Sequence, residues 1–212
     1  MIRAYDELYL TDARRTLANC FDYAAGSLKI PLEDFYIMFA QSDIAIRFEK
    51  GDPFVFSGHS GVELALMVIS KRTGKYEYKD RIYKDGRSKE YWAGWAIAFY
   101  QWYSSCSFMR LCEDVPVREI LNMYEKYHEM DIMHFVDRIN EIRQGIRLNS
   151  YLKKLRQMQG YSQSELAALT GIPVRTLQHY EQGTKSIEKA SASYVLALSR
   201  ALECSPDELI RI

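Results

Sequence analysis

The sequence has little of what would place it in several common protein classes. Its 28 basic residues equal its 28 acidic residues in number, so no net charge indicates a nucleic-acid or membrane partner. The four cysteines form no CxxC pair, and no Cys/His cluster has the spacing of metal ligands. The opening residues, MIRAYDELYL, carry charges from Arg3 onward and do not resemble a secretory signal. We therefore expect a cytoplasmic protein with reduced thiols, and no metal or cofactor.

A long membrane-spanning run is also missing. The uncharged stretch 91–109, YWAGWAIAFYQWYSSCSFM, contains Gln101 and three serines and has charges close on both sides. A membrane span needs about 20 predominantly apolar residues. The bulky residues of this stretch recur at helical spacing, which predicts a central core helix and no membrane partner.

Catalytic motifs are equally scarce. The segment SGHSG, residues 57–61, places a serine beside a histidine, but Gly61 directly follows Ser60 and the G-x-S-x-G spacing fails. Ser60 and Glu63 instead have the spacing of a helix capping box. There is no phosphate-binding glycine loop, no HExxH and no deaminase signature. The expected protein is not an enzyme.

Composition divides the chain into two parts. Only four of its 28 aromatic residues follow residue 145. Residues 146–212 hold nine Lys and Arg against six Asp and Glu, whereas residues 1–145 hold 19 against 22. This contrast predicts two domains, an aromatic-rich one over 1–145 and a small basic one over 146–212. We expect the first to be a helical partner-binding or regulatory domain.

Apolar periodicity predicts an all-α protein. In the first part, helices are expected over 8–28, from Pro31, from Ser60, over 91–109, from Pro116 and over 131–144. The charged connector Lys71–Glu90 between two of them is compatible with a short hairpin or an ordered loop. In the second part, five helices are expected over 150–158, 162–170, 173–182 and 190–202, and from Ser205.

The segment SQSELAALTGIPVRTLQHYEQG, residues 162–183, carries several consistent signals. Ser162 and Glu165 form a capping box, Gly171 permits the left-handed turn, and Gly183 follows the next helix. Leu166, Ala167, Leu177 and Tyr180 are the expected core residues.

This arrangement resembles the Cro-type (XRE) helix-turn-helix family over residues 150–211. In that family an arginine of the first helix pairs with a glutamate at the end of the third, and Arg156 and Glu181 occupy those positions, which implies a structural ion pair. Two departures are Pro173, where a capping Ser or Thr is usual, and Thr170, where an apolar residue is common.

The resemblance implies that the third helix enters the major groove of operator DNA, with the protein bound as a homodimer. The positions that would then contact bases are Val174, Arg175, Gln178 and His179. The positions that would contact phosphates are Gln163, Thr184, Lys185 and Lys153.

A second resemblance covers nearly the whole chain. The stretches RSKEYWAGWAIAFYQWY and FEKGDPFVFSGHSGVELA are similar to parts of helix-turn-helix antitoxins that Firmicutes encode beside ADP-ribosyltransferase-like toxins. That likeness implies an autorepressor whose N-terminal domain binds a protein partner, with a toxin as the candidate. The alternative is a repressor that senses a small molecule through the same domain.

Overall fold

The computed structural model describes residues 3–74, 78–82 and 86–210, with the side chains of 147–150 left undescribed. Within these ranges all regular secondary structure is helical, with fourteen α-helices and two short 3-10 helices. The prediction of an all-α protein is therefore confirmed.

The chain divides into two compact units, Met1–Asp137 and Arg138–Ile212. The first unit contains nine complete helices: α1 (Leu10–Gly26), α2 (Leu32–Ala40), α3 (Asp43–Glu49), α4 (Pro53–Phe56), α5 (Gly61–Thr73), α6 (Lys89–Ser104), α7 (Phe108–Asp114), α8 (Val117–Asn122) and α9 (Tyr124–Tyr127). Helix α10 (Ile132–Met158) starts in the first unit and ends in the second. The second unit continues with α11 (Gln163–Thr170), α12 (Val174–Gln182), α13 (Ala192–Ala201) and α14 (Pro206–Ile210).

Three helix boundaries differ from the sequence-based expectation. The helix expected over 91–109 ends at Ser104, because Ser105 takes a left-handed conformation and Ser107 caps a new helix, α7. The helix expected from Pro116 is divided into α8 and α9. The helices expected over 131–144 and 150–158 are instead the single helix α10, so Gly145 weakens the helix without ending it. The proposed domain boundary between residues 145 and 146 lies inside this helix and stays a prediction.

The first unit is built around helix α6, which packs mainly against α1. Gly94 permits this close packing: a Cβ added there would lie 2.6 Å from the carbonyl oxygen of Leu17 and 2.9 Å from the Cα of Ala18. Aromatic rings fill much of the remaining core, with Phe21, Phe35, Phe39, Phe48 and Phe108 in edge-to-face contacts.

The described part of the Lys71–Glu90 connector is tied to α1. The hydroxyl of Tyr23 donates to the Lys79 carbonyl at 2.7 Å, and the Ile82 N–H donates to Ser27 Oγ at 2.9 Å. Residues 78–82 have no regular secondary structure, which fits an ordered loop at that point. The remaining connector residues 75–77 and 83–85 lie outside the described ranges.

The second unit has a compact aliphatic core to which every one of its helices contributes. All four core residues expected from the sequence, Leu166, Ala167, Leu177 and Tyr180, belong to it. The last helix, expected from Ser205, starts with a capping box that the spacing of Ser205 and Glu208 predicts: Ser205 Oγ accepts from the Glu208 N–H while Glu208 accepts from the Ser205 N–H.

Two glycines inside helices give a matched stability test. Gly94→Ala should destabilise the protein by roughly 1–3 kcal/mol, because its methyl group meets the backbone of α1. Gly145→Ala should stabilise it by about 1 kcal/mol, because no atom lies within 4 Å of the added methyl group and alanine is the better helix former. Urea denaturation followed by circular dichroism measures both; effects of the same sign would contradict the assigned close approach.

Candidate nucleic-acid interface

Local sequence signals build the turn between α11 and α12. Ser162 Oγ accepts from the Glu165 N–H and Glu165 Oε2 accepts from the Ser162 N–H, which confirms the capping box. Helix α11 ends at Gly171, whose φ of 69° lies in the left-handed region. Ile172 is 1% exposed and anchors the turn in the core. Helix α12 then ends at a second left-handed glycine, Gly183.

The two departures from the family pattern have local explanations. Pro173 precedes α12 as its N-cap with φ −56° and ψ 135°, so the helix begins one residue later than expected, and no side chain caps it. Thr170 fits a position that is commonly apolar because its hydroxyl donates to the Leu166 carbonyl at 2.7 Å. Neither departure prevents the helix-turn-helix geometry.

A buried ion pair joins α10 to α12. Arg156 Nε donates to Glu181 Oε1 at 2.6 Å, and Nη2 donates to Glu181 Oε2 at 2.9 Å. The two side chains are 9% and 2% exposed. Arg156 Nη1 also donates to the Tyr161 carbonyl at 2.7 Å, just before α11. The bidentate contact and the third hydrogen bond fix all three helices at one point.

Arg156 and Glu181 shift each other's pKa in the direction that keeps both charged. Burial acts to raise the pKa of Glu181, but hydrogen bonds from Arg156 and Gln163 outweigh it and the pKa is lowered. The hydrogen bond to Glu181 raises the pKa of Arg156. Both groups are therefore charged at neutral pH.

Gln163 extends this network toward the surface of α12. Its Nε2 donates to Glu181 Oε2 at 2.7 Å, and its Oε1 accepts from Gln178 Nε2 at 3.4 Å. The carboxylate can only accept, so the amide of Gln163 must present its NH₂ to Glu181 and its oxygen to Gln178. Both ends of a side chain expected to hold a phosphate are thus engaged inside the protein.

The outward side of α12 carries the expected base-contacting positions. Val174 and Arg175 are exposed on its first turn, whereas Gln178 and His179 are half-buried. His179 Nδ1 lies 2.6 Å from Thr184 Oγ1, which links an expected base contact to an expected phosphate contact.

The expected phosphate-contacting lysines lie on other elements. Lys185 is exposed after α12, and its N–H donates to the His179 carbonyl at 3.2 Å, which fixes the backbone of that loop. Lys153 is exposed on α10. The second unit thus carries Arg175, Lys185 and Lys153 on its surface as cations suited to nucleic acid.

The contacts of Gln163 were missed by the sequence reasoning. Glu181 is 18 residues from it and Gln178 is 15 residues from it, so no local spacing reveals the chain of hydrogen bonds. The sequence offered one indirect signal for these contacts, which is the number of hydrogen bonds that the Glu181 carboxylate can accept. A buried carboxylate accepts more hydrogen bonds than one arginine fork supplies, so a further polar donor was to be expected nearby.

The SGHSG segment of the first unit has a structural role. Ser60 caps α5 through the expected box with Glu63, and His59 Nδ1 lies 2.9 Å from the Phe54 carbonyl oxygen. Within 3–74, 78–82 and 86–210, no three His, Cys, Asp or Glu side chains cluster as a metal site requires. None of the helices in those ranges combines the length and apolar composition that crossing a bilayer requires.

Comparison with known proteins identifies the second unit. A family model described as helix-turn-helix matches residues 152–209. No curated protein and no solved structure matches the chain. The match and the geometry of α11 and α12 agree that residues 152–209 form a helix-turn-helix DNA-binding domain.

The Arg156–Glu181 pair gives a test of stability. Arg156→Met should destabilise the second unit by about 3–5 kcal/mol, because it leaves a buried carboxylate without its counter-charge. The double variant Arg156→Met/Glu181→Leu should recover much of that loss. Hydrogen exchange of peptides from 151–185 in the full chain measures both.

The same pair predicts a pH dependence. Folding lowers the pKa of Glu181 from its ordinary value near 4.5, so its stabilisation is present above that pH and is lost as pH falls through the folded value. The double variant should therefore lose less protection than the wild type between pH 5 and about 3. Parallel pH curves for the two proteins would contradict this role of the pair.

Proposed function

We propose that the protein is a sequence-specific transcriptional regulator of the cytoplasm, an antitoxin-like autorepressor whose N-terminal domain binds a protein partner. The observation that supports DNA reading best is the exposed first turn of α12, where Val174 and Arg175 project from a helix held by the buried Arg156–Glu181 pair. A rigid helix with free polar side chains at its N-terminal end suits the major groove of double-stranded DNA.

The side chains of α12 suggest particular base contacts. Arg175 is suited to a bidentate contact with guanine, and Val174 to the methyl group of thymine. The amide of Gln178 retains its oxygen and one N–H after its bond to Gln163, which matches the acceptor and donor pattern of adenine. His179 would contact either a base or a phosphate, because its Nδ1 is hydrogen-bonded to Thr184, which is itself an expected phosphate contact.

Phosphate contacts would hold this helix in register. Lys185, Thr184 and Lys153 supply exposed donors around α12. Gln163 would contribute its main-chain N–H at the start of α11, because its side chain is engaged with Glu181 and Gln178. The domain is small, so we propose a homodimer on an operator with half-sites about 34 Å apart or a multiple of that spacing.

Two substitutions separate base reading from phosphate binding. Arg175→Ala should cost about 1–3 kcal/mol at one base position and relax the preference there. Lys185→Ala should weaken binding to all sequences alike and reduce the salt slope by about one. Operator affinity at several salt concentrations, beside random DNA, measures both changes.

The exposed Arg200 on α13 supplies the control for these variants. Arg200→Ala should change affinity and sequence preference much less than Arg175→Ala does. Equal losses on operator and random DNA from Arg175→Ala would refute its role as a base reader.

The proposed binding of a protein partner is tested by a separate experiment. The tagged protein is purified from its native cells, and the purified material is tested on the DNA upstream of its own gene. A stoichiometric small protein that inhibits growth when expressed alone would support the antitoxin role. Operator binding without any protein partner would contradict it.

A cavity in the first unit favours a ligand-sensing repressor as the second candidate. It has a volume of about 130 Å³ and is lined by Arg87, Tyr91, Trp92, Trp95, Tyr124 and His128. Aromatic walls with a few polar groups are typical of small-molecule sites, and a volume below the roughly 300–1,000 Å³ of common ligand pockets restricts the candidate ligand to a molecule of few atoms. If this candidate is correct, a metabolite and not a protein will change the affinity for the operator.

A further inference from the structure

Three arginines of the first unit lie on rings that belong to one helix. Tyr91, Trp95, Phe99 and Tyr103 follow each other at intervals of four on α6, so they share one side of it. The guanidinium carbon of Arg14 lies 3.3 Å from the centroid of Trp95, that of Arg3 lies 3.9 Å from Tyr103, and that of Arg87 lies 5.1 Å from Tyr91. Phe99 is buried in the core at 8% exposure, so we give the name arginine–aromatic stripe to the other six residues, Arg3, Arg14, Arg87, Tyr91, Trp95 and Tyr103.

The arginines of the stripe have no counter-charge in the part of the chain that the structure describes. None of the three forms an ion pair with a described carboxylate. Arg14 is half-buried, and its Nε and Nη2 atoms are buried without a hydrogen-bond partner among the described residues. Burial lowers the pKa of Arg14 to about 10.

A fourth stacked arginine shows the usual arrangement. Arg47 lies 3.9 Å over the ring of Phe54, and its Nε also donates to Asp52 Oδ2 at 2.7 Å. The unit therefore can supply a carboxylate to a stacked arginine. The stripe differs because its guanidinium groups lie over rings without a carboxylate. Arg3 Nη1 donates to the Tyr103 carbonyl at 2.8 Å, whereas no hydrogen bond or ion pair joins the guanidinium groups of Arg14 and Arg87 to a described acceptor.

The energetics favour a partner with carboxylates. A guanidinium removed from water without a counter-ion destabilises the free protein, and a carboxylate that reaches it recovers that loss on binding. Trp, Tyr and Arg are also the residue types that contribute most often to the affinity of protein interfaces. Side chains that already lie against a ring lose little conformational entropy when a partner binds.

We propose that the arginine–aromatic stripe is the surface on which the N-terminal domain binds an acidic segment of its protein partner. This inference rests on the proposed function and assigns a place and a chemistry to its partner-binding step.

Nucleic acid fits the same stripe less well. Single-stranded nucleic acid binds by stacking bases on open aromatic faces, but Arg14 already covers one face of Trp95 at 3.3 Å. Residues 1–145 hold 19 basic residues against 22 acidic ones, so the domain as a whole repels a polyanion. A short acidic segment needs no open ring face, and because it carries fewer charges than a polyanion it is repelled less.

The test uses a random 12-residue peptide library displayed on phage and selected on the full-length protein. Recovered peptides should be rich in Asp and Glu, and their affinity, measured by fluorescence polarisation, should fall as salt rises. Arg14→Gln and Arg87→Gln should each weaken them at least about tenfold. Arg14→Lys should restore the binding only in part, because lysine keeps the charge without the flat fork.

Arg118 provides the matched control, because it is an exposed arginine of the same unit on α8 that lies over no ring among the described residues. Arg118→Gln should leave peptide affinity unchanged, and circular dichroism verifies that each variant is folded. Since Arg87 is exposed, its variant keeps the test valid even if Arg14→Gln unfolds the protein.

Several results would overturn the inference. These are recovery of apolar peptides without acidic residues, no recovered peptide, equal affinity for the wild type and Arg87→Gln, or tighter binding of an oligo-dT probe at the stripe. Operator binding by the same variants separates the two levels of the proposal. If the wild type does not bind the operator, the proposed function as a regulator is wrong. If acidic peptides bind the protein away from the stripe, only the proposed surface is wrong.

Discussion

The buried pair of Arg156 and Glu181 is the interaction on which the DNA-binding unit depends. It is costly to bury two charges, and a pair of apolar side chains would hold the helices at least as firmly. What the charged pair adds is a defined orientation of the hydrogen-bonding groups around it. Arg156 fixes α10 to α12 and, through the Tyr161 carbonyl, to the start of α11. Because Glu181 only accepts hydrogen bonds, it orients the amide of Gln163, and Gln163 in turn orients Gln178 on α12. A single buried carboxylate thus determines which atoms the surface presents.

Much of this unit could be predicted from the sequence because its signals are local. Its two capping boxes, at Ser162 and Ser205, require only a serine and a glutamate three residues apart, and both form, as does a third in the first unit at Ser60. Gly171 and Gly183 end their helices for the same kind of reason, since left-handed backbone favours glycine. The buried positions of Leu177 and Tyr180 follow from helical periodicity.

The errors arose where helix ends depend on weak preferences. Ser105 takes a left-handed conformation although serine does so rarely, and nothing in YQWYSSCSFM distinguishes it from its neighbour Ser104. In the other direction, Gly145 was expected to mark a break, but a helical glycine costs only about 1 kcal/mol and α10 continues past it. The links of Gln163 across 15 and 18 residues belong to the tertiary fold and could not be found by spacing.

Two arginines of this chain differ in where their counter-charge lies. Arg156 has a carboxylate within 2.6 Å, so its desolvation is offset inside the chain and its charge is not available to anything else. Arg14 is half-buried against Trp95 without a described carboxylate, so its desolvation is uncompensated until an acceptor arrives. The first arrangement is that of a structural element, and the second is the one on which the proposed binding surface rests. The rings of α6 therefore take part in two kinds of contact: buried rings pack in the core, and Trp95 at its edge carries the guanidinium group of Arg14 from α1.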